Sequence, residues 1–148
     1  MKAMLNRTMI GQALPAHEAI VERGRLRSFA KAIGETNPVY IDEAAAQAAG
    51  HPSLPVPPTF LFCLEMEKPD PFGWFSQVGL ELSRILHGEQ KFTYHAMAYA
   101  GDTLRFEPRV TDMYDKKGGA LQFLVTDTRV SNQRGQHIAD LRGVIVQR

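Results

Sequence analysis

Apolar residues recur at helical spacing only in the first half of the chain. Leu26, Phe29, Ala30 and Ile33 fall at i, i+3, i+4 and i+7, with Arg23, Arg25, Arg27 and Lys31 mostly on the other face. That period predicts an amphipathic helix starting near Glu22. Gly34 suits the residue that closes such a helix, and Pro38 keeps it from resuming. Residues 42–49 (DEAAAQAA) predict a second helix: Asp42 can cap it, Glu43 suits the first turn, and alanine is the best helix former. Gly50 stops it, and the proline-punctuated HPSLPVPP at 51–58 excludes regular helix or central strand. Residues 59–66 (TFLFCLEM) form an apolar run whose spacing fits a buried helix or a buried strand alike. The good helix formers that extend it favour helix, with Thr59 placed to cap. Ahead of all this, residues up to about Met9 read as a frayed end. Residues 10–21, with Pro15, read as a short edge strand or extended lead-in.

The second half changes period. After residues 68–79 (KPDPFGWFSQVG), a loop unusually rich in aromatic rings, alternation takes over. Phe92, Tyr94 and Ala96 share one side; Gly101-Asp102 makes a turn; Leu104, Phe106 and Val110 follow. Residues 115–119 (DKKGG) separate that run from Leu121, Phe123 and Val125. Residues 132–135 (NQRG) turn again before Ile138, Leu141, Val144 and Val146. Strands joined by tight Gly/Asp turns predict an antiparallel meander. Helices first and antiparallel strands afterwards make an α+β pattern. Its economical packing wraps a curved sheet around the helix at 59–66, a hot-dog arrangement.

Composition narrows the class. The chain has 148 residues, 44% hydrophobic and 22% charged, with 17 basic against 16 acidic residues. Those values suit one globular domain spanning residues 1–148 with a self-sufficient core. No basic block supplies the electrostatic footprint of a nucleic-acid binder. The first residues lack the pattern of a signal peptide, and no apolar stretch approaches a membrane span. A cytoplasmic protein is expected. One cysteine, Cys63, excludes a disulfide framework, and its apolar setting suits an inert buried thiol.

Two clusters carry candidate chemistry. The first is residues 34–42 (GETNPVYID), where Glu35, Asn37, Tyr40 and Asp42 crowd a proline-pinned turn. Such a turn can hold a base and a donor toward a cleft. It can equally be a plain connection in which Thr36 and Asn37 satisfy the backbone and Asp42 caps. The second is His87-Gly88-Glu89-Gln90. On a regular strand His87 and Glu89 share a face, so the carboxylate can orient the imidazole, or the two form an unremarkable surface pair. Metal ligation is not expected, because His17, His51, His95 and His137 are scattered singly with no HxH or HxxxH pair.

Together the string FAKAIGETNPVYIDEAAAQAAG, the proline-rich link to PPTF, and ILHGEQKFTYHAMAYAGDTL resemble the N-terminal-type MaoC-like dehydratase domain. They resemble in particular the acyl-chain-binding, non-catalytic subunit of heterodimeric (3R)-hydroxyacyl-ACP dehydratases. The resemblance implies two hot dogs paired into a continuous sheet, as homodimer or heterodimer. It implies an acyl-CoA or acyl-ACP thioester as ligand and no cofactor. The chemistry it implies is reversible hydration of a trans-2-enoyl thioester to the (3R)-hydroxyacyl thioester. Active members carry Asp-x-Asn-Pro-x-His, whose Asp and His bind water and move its protons, while helix-start amides polarise the thioester carbonyl. Glu35 stands at the Asp position, Asn37 and Pro38 are kept, and Tyr40 stands at the His position. A longer carboxylate displaces the base, and a phenol, titrating near ~10, is a poor proton shuttle.

Glu35, Tyr40, His87 and Glu89 are therefore the candidate catalytic residues. Asn37, Pro58, Thr59, Phe60, Trp74, Gly88 and Gln90 are the candidate substrate-binding residues, with Phe62, Phe72 and Phe75 adding to an acyl-tunnel wall. Three readings stand: a binding subunit whose partner does the chemistry; a homodimeric hydratase using Glu35 or Glu89 with His87; and an acyl-CoA-binding or thioester-hydrolysing hot dog.

Overall fold

The structure, a computed structural model, describes residues 3–148. A short β1 (His17–Ile20) leads into α1 (Arg23–Ala32), whose Leu26 and Ala30 are buried as the helical period requires. A single 3-10 turn at Pro38–Tyr40 joins α1 to α2 (Glu43–Ala48). Both starts are capped as expected: Asn37 Oδ1 accepts from the Val39 N–H at 3.2 Å, and Asp42 Oδ1 from the Ala44 N–H at 3.0 Å.

The ambiguous run is helical. α3 (Phe60–Glu65) buries Phe60, Leu61 and Leu64. Thr59 precedes it, but its hydroxyl makes no capping bond; the Phe60 N–H reaches back to the Pro57 carbonyl instead. The expected side-chain cap is absent because a proline-rich approach leaves Thr59 in a helical conformation, not the extended one a cap needs.

Around α3 bends a five-stranded antiparallel sheet in the order β1-β3-β4-β5-β2. Its members are β2 (Ile85–Tyr94), β3 (Thr103–Lys116), β4 (Leu121–Ser131) and β5 (His137–Gln147), with β1 at one edge and β2 at the other. This is the anticipated hot dog. Register shifts interrupt three ladders, between His87 and Glu89, Val110 and Asp112, and Val130 and Ser131. Each extra residue bends its strand and raises the local twist, which is how a sheet curls around a helix.

Two clusters fill the concave side. The larger joins Phe60, Leu61 and Leu64 to Leu104, Phe106, Val130, Ile138 and Leu141. The smaller packs Phe75, Val78 and Leu80 on Leu14, Val110, Met113 and Leu124. Burying each large side chain contributes about 1.5–3 kcal/mol.

Two expectations need correction. Within the anticipated loop at 68–79 lies a fourth helix, α4 (Phe75–Val78), closed by Gly79 at φ 82°. Four residues are too few to display a 3.6-residue period. The N-terminal segment is also not frayed from residue 3 onward; Met1 and Lys2 lie outside the described residues. Arg7–Met9 form a 3-10 turn capped by Asn6, whose own N–H donates to the Val78 carbonyl at 2.9 Å. Leu5 and Met9 pack against the smaller cluster. Gly79 is required there, since a Cβ would run into the Met4 carbonyl.

Candidate functional site

The proline-pinned turn satisfies itself. Glu35 Oε1 accepts from the N–H groups of Thr36 and Asn37 at 3.0 and 2.9 Å, and Asn37 and Asp42 accept from the residues they cap. The next carboxylate along, Glu43, works harder: its Oε1 accepts from Arg23 Nε, Ser53 Oγ and the Leu54 N–H. These donors, Arg23 foremost, hold the Glu43 carboxyl below its usual range. Tyr40 lies near Tyr94, the last residue of β2, whose phenol is pushed up to about 12 by burial first and by Tyr40 second. His87 sits seven residues back along the same strand, roughly 23 Å along it at about 3.3 Å per residue. Tyr40 therefore stands well away from His87 along β2, and neither Tyr40 nor Glu35 lines the cavity at His87.

At the His87 end lies a cavity of about 170 Å³. α3 supplies Phe62 and Glu65; the following segment supplies Phe72, Trp74 and Phe75; β2 supplies Ile85, His87 and Gln90. Of the anticipated tunnel wall, Phe62, Phe72, Trp74 and Phe75 are here. Phe60 is not: it is buried in the core against Phe29, ring centroids 5.0 Å apart. Pro58 and Thr59 are exposed ahead of α3 and line no part of the cavity.

A bulge assembles the polar side of this cavity. His87 pairs with Ile145 and Gln90 with Gly143, while Gly88 has no partner. His87 and Gln90, three apart, would face opposite ways on a regular strand; the extra residue puts both on the cavity side. Gly88 is needed because a Cβ would stand 2.8 Å from Val146 Cγ2 and 3.1 Å from the Val144 carbonyl. The same bulge overturns the expected His87–Glu89 pairing. Glu89 is carried to the opposite face, and only its backbone carbonyl meets the imidazole, 3.2 Å from His87 Nε2.

His87 instead stacks on Phe62, centroids 5.2 Å apart, and faces Glu65 across the cavity. Thr128 Oγ1 donates to Glu65 Oε1 at 2.5 Å. Burial pushes the Glu65 carboxyl up, with Thr128, Lys68 and His87 opposing. Burial likewise pushes the Lys68 ammonium down, with Glu65 opposing. Gln90 Nε2 is buried without a hydrogen-bond partner, the kind of orphan that a bound ligand satisfies. An apolar wall with a few convergent polar groups is the ordinary make-up of a small-molecule site.

Sequence reasoning missed Glu65 and Lys68. Glu65 looked like a helix former at the end of an apolar run, and only the fold turns it inward. The histidines are scattered along the sequence, whereas folding brings His95 and His137 together at Asp140, with ligand atoms within 4.8 Å of one another.

Residues 8–141 match the family model of the FAS1-like, dehydratase domain region. A UPF0336 protein of Saccharopolyspora erythraea is 34% identical over 145 residues, 97% of this chain and 92% of the relative. A UPF0336 protein of Streptomyces coelicolor is 33% identical over 135 residues, covering 90% and 89%. Among solved structures, the C-terminally truncated HadBC (3R-hydroxyacyl-ACP dehydratase) complex of Mycobacterium tuberculosis superposes with a TM-score of 0.79 at 24% identity, covering 93% of this chain and 96% of that one. The (R)-hydratase of A. caviae involved in PHA biosynthesis gives 0.68 at 20% identity, covering 92% and 94%. Among the described residues no helix is long and apolar enough to cross a membrane. With the sequence blocks, the sheet order and the matched span in agreement, this chain belongs to the FAS1-like dehydratase-region family and has the hot-dog fold of the MaoC-like dehydratases.

Proposed function

We propose that this chain is the acyl-binding half of a cytoplasmic double hot dog acting on acyl-CoA or acyl-ACP, and that a partner hot dog with an intact Asp-x-Asn-Pro-x-His turn hydrates the enoyl thioester. The observation that carries this reading is the turn at 35–42. Glu35 spends an oxygen on two neighbouring amides, and a phenol occupies the position from which an imidazole would pass protons. The apolar cavity supports the binding half of the reading, since its aromatic wall removes an acyl chain from water. The free edge of β2 supports the pairing half. It is ten residues long and mostly exposed, Leu86 at 48% and Tyr94 at 43%, a template for adding a strand.

The isolated chain should hydrate crotonyl-CoA no faster than buffer, as followed by loss of enoyl absorbance. Mixed with a hot dog bearing the intact turn, it should support turnover. Robust activity of the isolated chain overturns the reading. One observation favours a second one: His87 and Glu65 face each other in the cavity, a pairing suited to acid–base work by this chain alone. There His87→Ala abolishes turnover by the isolated chain and Tyr40→Phe spares it. Release of free thiol from acyl-CoA would point to hydrolysis instead.

A further inference from the structure

Away from the cavity, His95, His137 and Asp140 gather on the opposite face of the sheet, and a second bulge is the reason. Residues three apart on a strand face opposite ways. In β5, however, Ser131 pairs with His137 and Val130 with Ala139, leaving Ile138 as the extra residue. The count is corrected by one, and His137 returns to the face that carries Asp140. Ile138 also fixes the third member. Its carbonyl accepts from the backbone N–H groups of both His95, at 2.8 Å, and Ala96, at 3.2 Å, where the chain leaves β2.

The side chains converge on one carboxylate. His95 Nε2 lies 2.7 Å from Asp140 Oδ2, and His137 Nε2 lies 2.8 Å from Oδ1. The two rings stand 4.3 Å apart. Burial pushes the Asp140 carboxyl up, but the hydrogen bonds and charges of the two imidazoles outweigh it and hold the group below its usual range. Arg129, paired with Asp140 across the ladder, is drawn toward Glu107 at 4.0 Å.

We propose that His95, His137 and Asp140 bind a divalent transition-metal ion of the zinc class, each neutral imidazole presenting an unprotonated Nε2 to the metal with its remaining proton on Nδ1. Zinc sits about 2.0–2.1 Å from imidazole nitrogen and about 2.0–2.2 Å from carboxylate oxygen. A tetrahedral ion at those distances separates its ligands by about 3.2–3.5 Å, so the two nitrogen–oxygen pairs open by about half an ångström while the ligand set, now within 4.8 Å, draws together. Two imidazoles and a carboxylate select zinc, nickel, cobalt or copper over magnesium or calcium. Three protein ligands leave a fourth position for water or an exogenous anion. The site stands whether or not the chain is an acyl-binding subunit, because it shares no residue with the cavity.

The test uses the full chain, with any affinity tag removed, dialysed against micromolar Zn²⁺ and assayed for bound metal. Cobalt substitution gives an independent reading from visible absorption. One equivalent per chain is expected, with a tetrahedral cobalt spectrum and a rise in Tm when zinc is added. Asp140→Asn and His137→Ala should each weaken binding by about 100-fold or more, while His51→Ala leaves it intact. His95→Gln, exposed and just beyond β2, serves as the variant least able to disturb folding. The proposal fails if the wild-type chain takes up no zinc, or if His95→Gln binds as tightly as wild type.

Discussion

The turn at 35–42 and the cavity beneath α3 are both rich in polar groups, and they use them in opposite ways. In the turn, Glu35, Asn37 and Asp42 each accept from a backbone N–H within two residues. In the cavity, Gln90 Nε2 has no partner and Glu65 has one close donor, Thr128, inside an aromatic wall. Polar density along a sequence marks a backbone being satisfied as readily as a substrate being met. A polar atom left unpaired among apolar neighbours is the more specific sign, since leaving it so costs about 1–3 kcal/mol.

The most drastic way to break the contrast is to loosen the packing of the helix that roofs the cavity. Leu61→Ala should destabilise by about 2–5 kcal/mol, read from chemical denaturation, because Leu61 is fully buried against the sheet. Gly88→Ala is narrower. Its methyl group meets Val146, so a cost of about 1–3 kcal/mol is expected. Acyl-CoA affinity should fall with it as His87 and Gln90 lose their common face. A turn variant should separate stability from binding: Asp42→Ala removes the α2 cap and costs about 1 kcal/mol, with acyl-CoA affinity unchanged by calorimetry.

The finest probe is Glu65→Gln, which keeps the oxygen that Thr128 donates to. A carboxyl with a folded pKa raised above its unfolded value of 4.5 favours the fold when protonated, and loses that contribution as pH rises through the folded pKa. The variant should therefore melt above wild type at neutral pH, with the difference closing below pH 4.5. Glu43 has the opposite sign. Held below its usual range, its contribution is present at neutral pH and is lost in acid, so Glu43→Gln should narrow its deficit as pH falls.

What was legible in the sequence follows from the length of the repeating signal. α1 displayed nearly three turns of period, and the strands from Leu104 onward alternated long enough to read. α4 did not, and the start of β2 was hidden because His87-Gly88-Glu89 breaks alternation at the bulge. The polar anchor at the end of β5 was invisible for another reason. Gln147 is fully buried and accepts from the Glu81 N–H at 2.7 Å while donating to the Gly79 carbonyl at 3.1 Å, contacts spanning more than sixty residues. Local pattern carries no trace of such pairings. Phe62, Trp74 and Phe75 were legible as rings that needed something to cover; Glu65 was not, because its inward aim depends on where α3 lies on the sheet.

The bulges at Gly88 and Ile138 make odd and even residue counts into a property of the molecule. Losing one residue at either place would change no other side chain, yet it would exchange inside for outside along one flank of the strand. The two edits would also be separable, one dispersing His87 from Gln90 and the other His137 from Asp140. Among related chains, one-residue length differences at these two positions should therefore track ligand chemistry more closely than substitutions nearby.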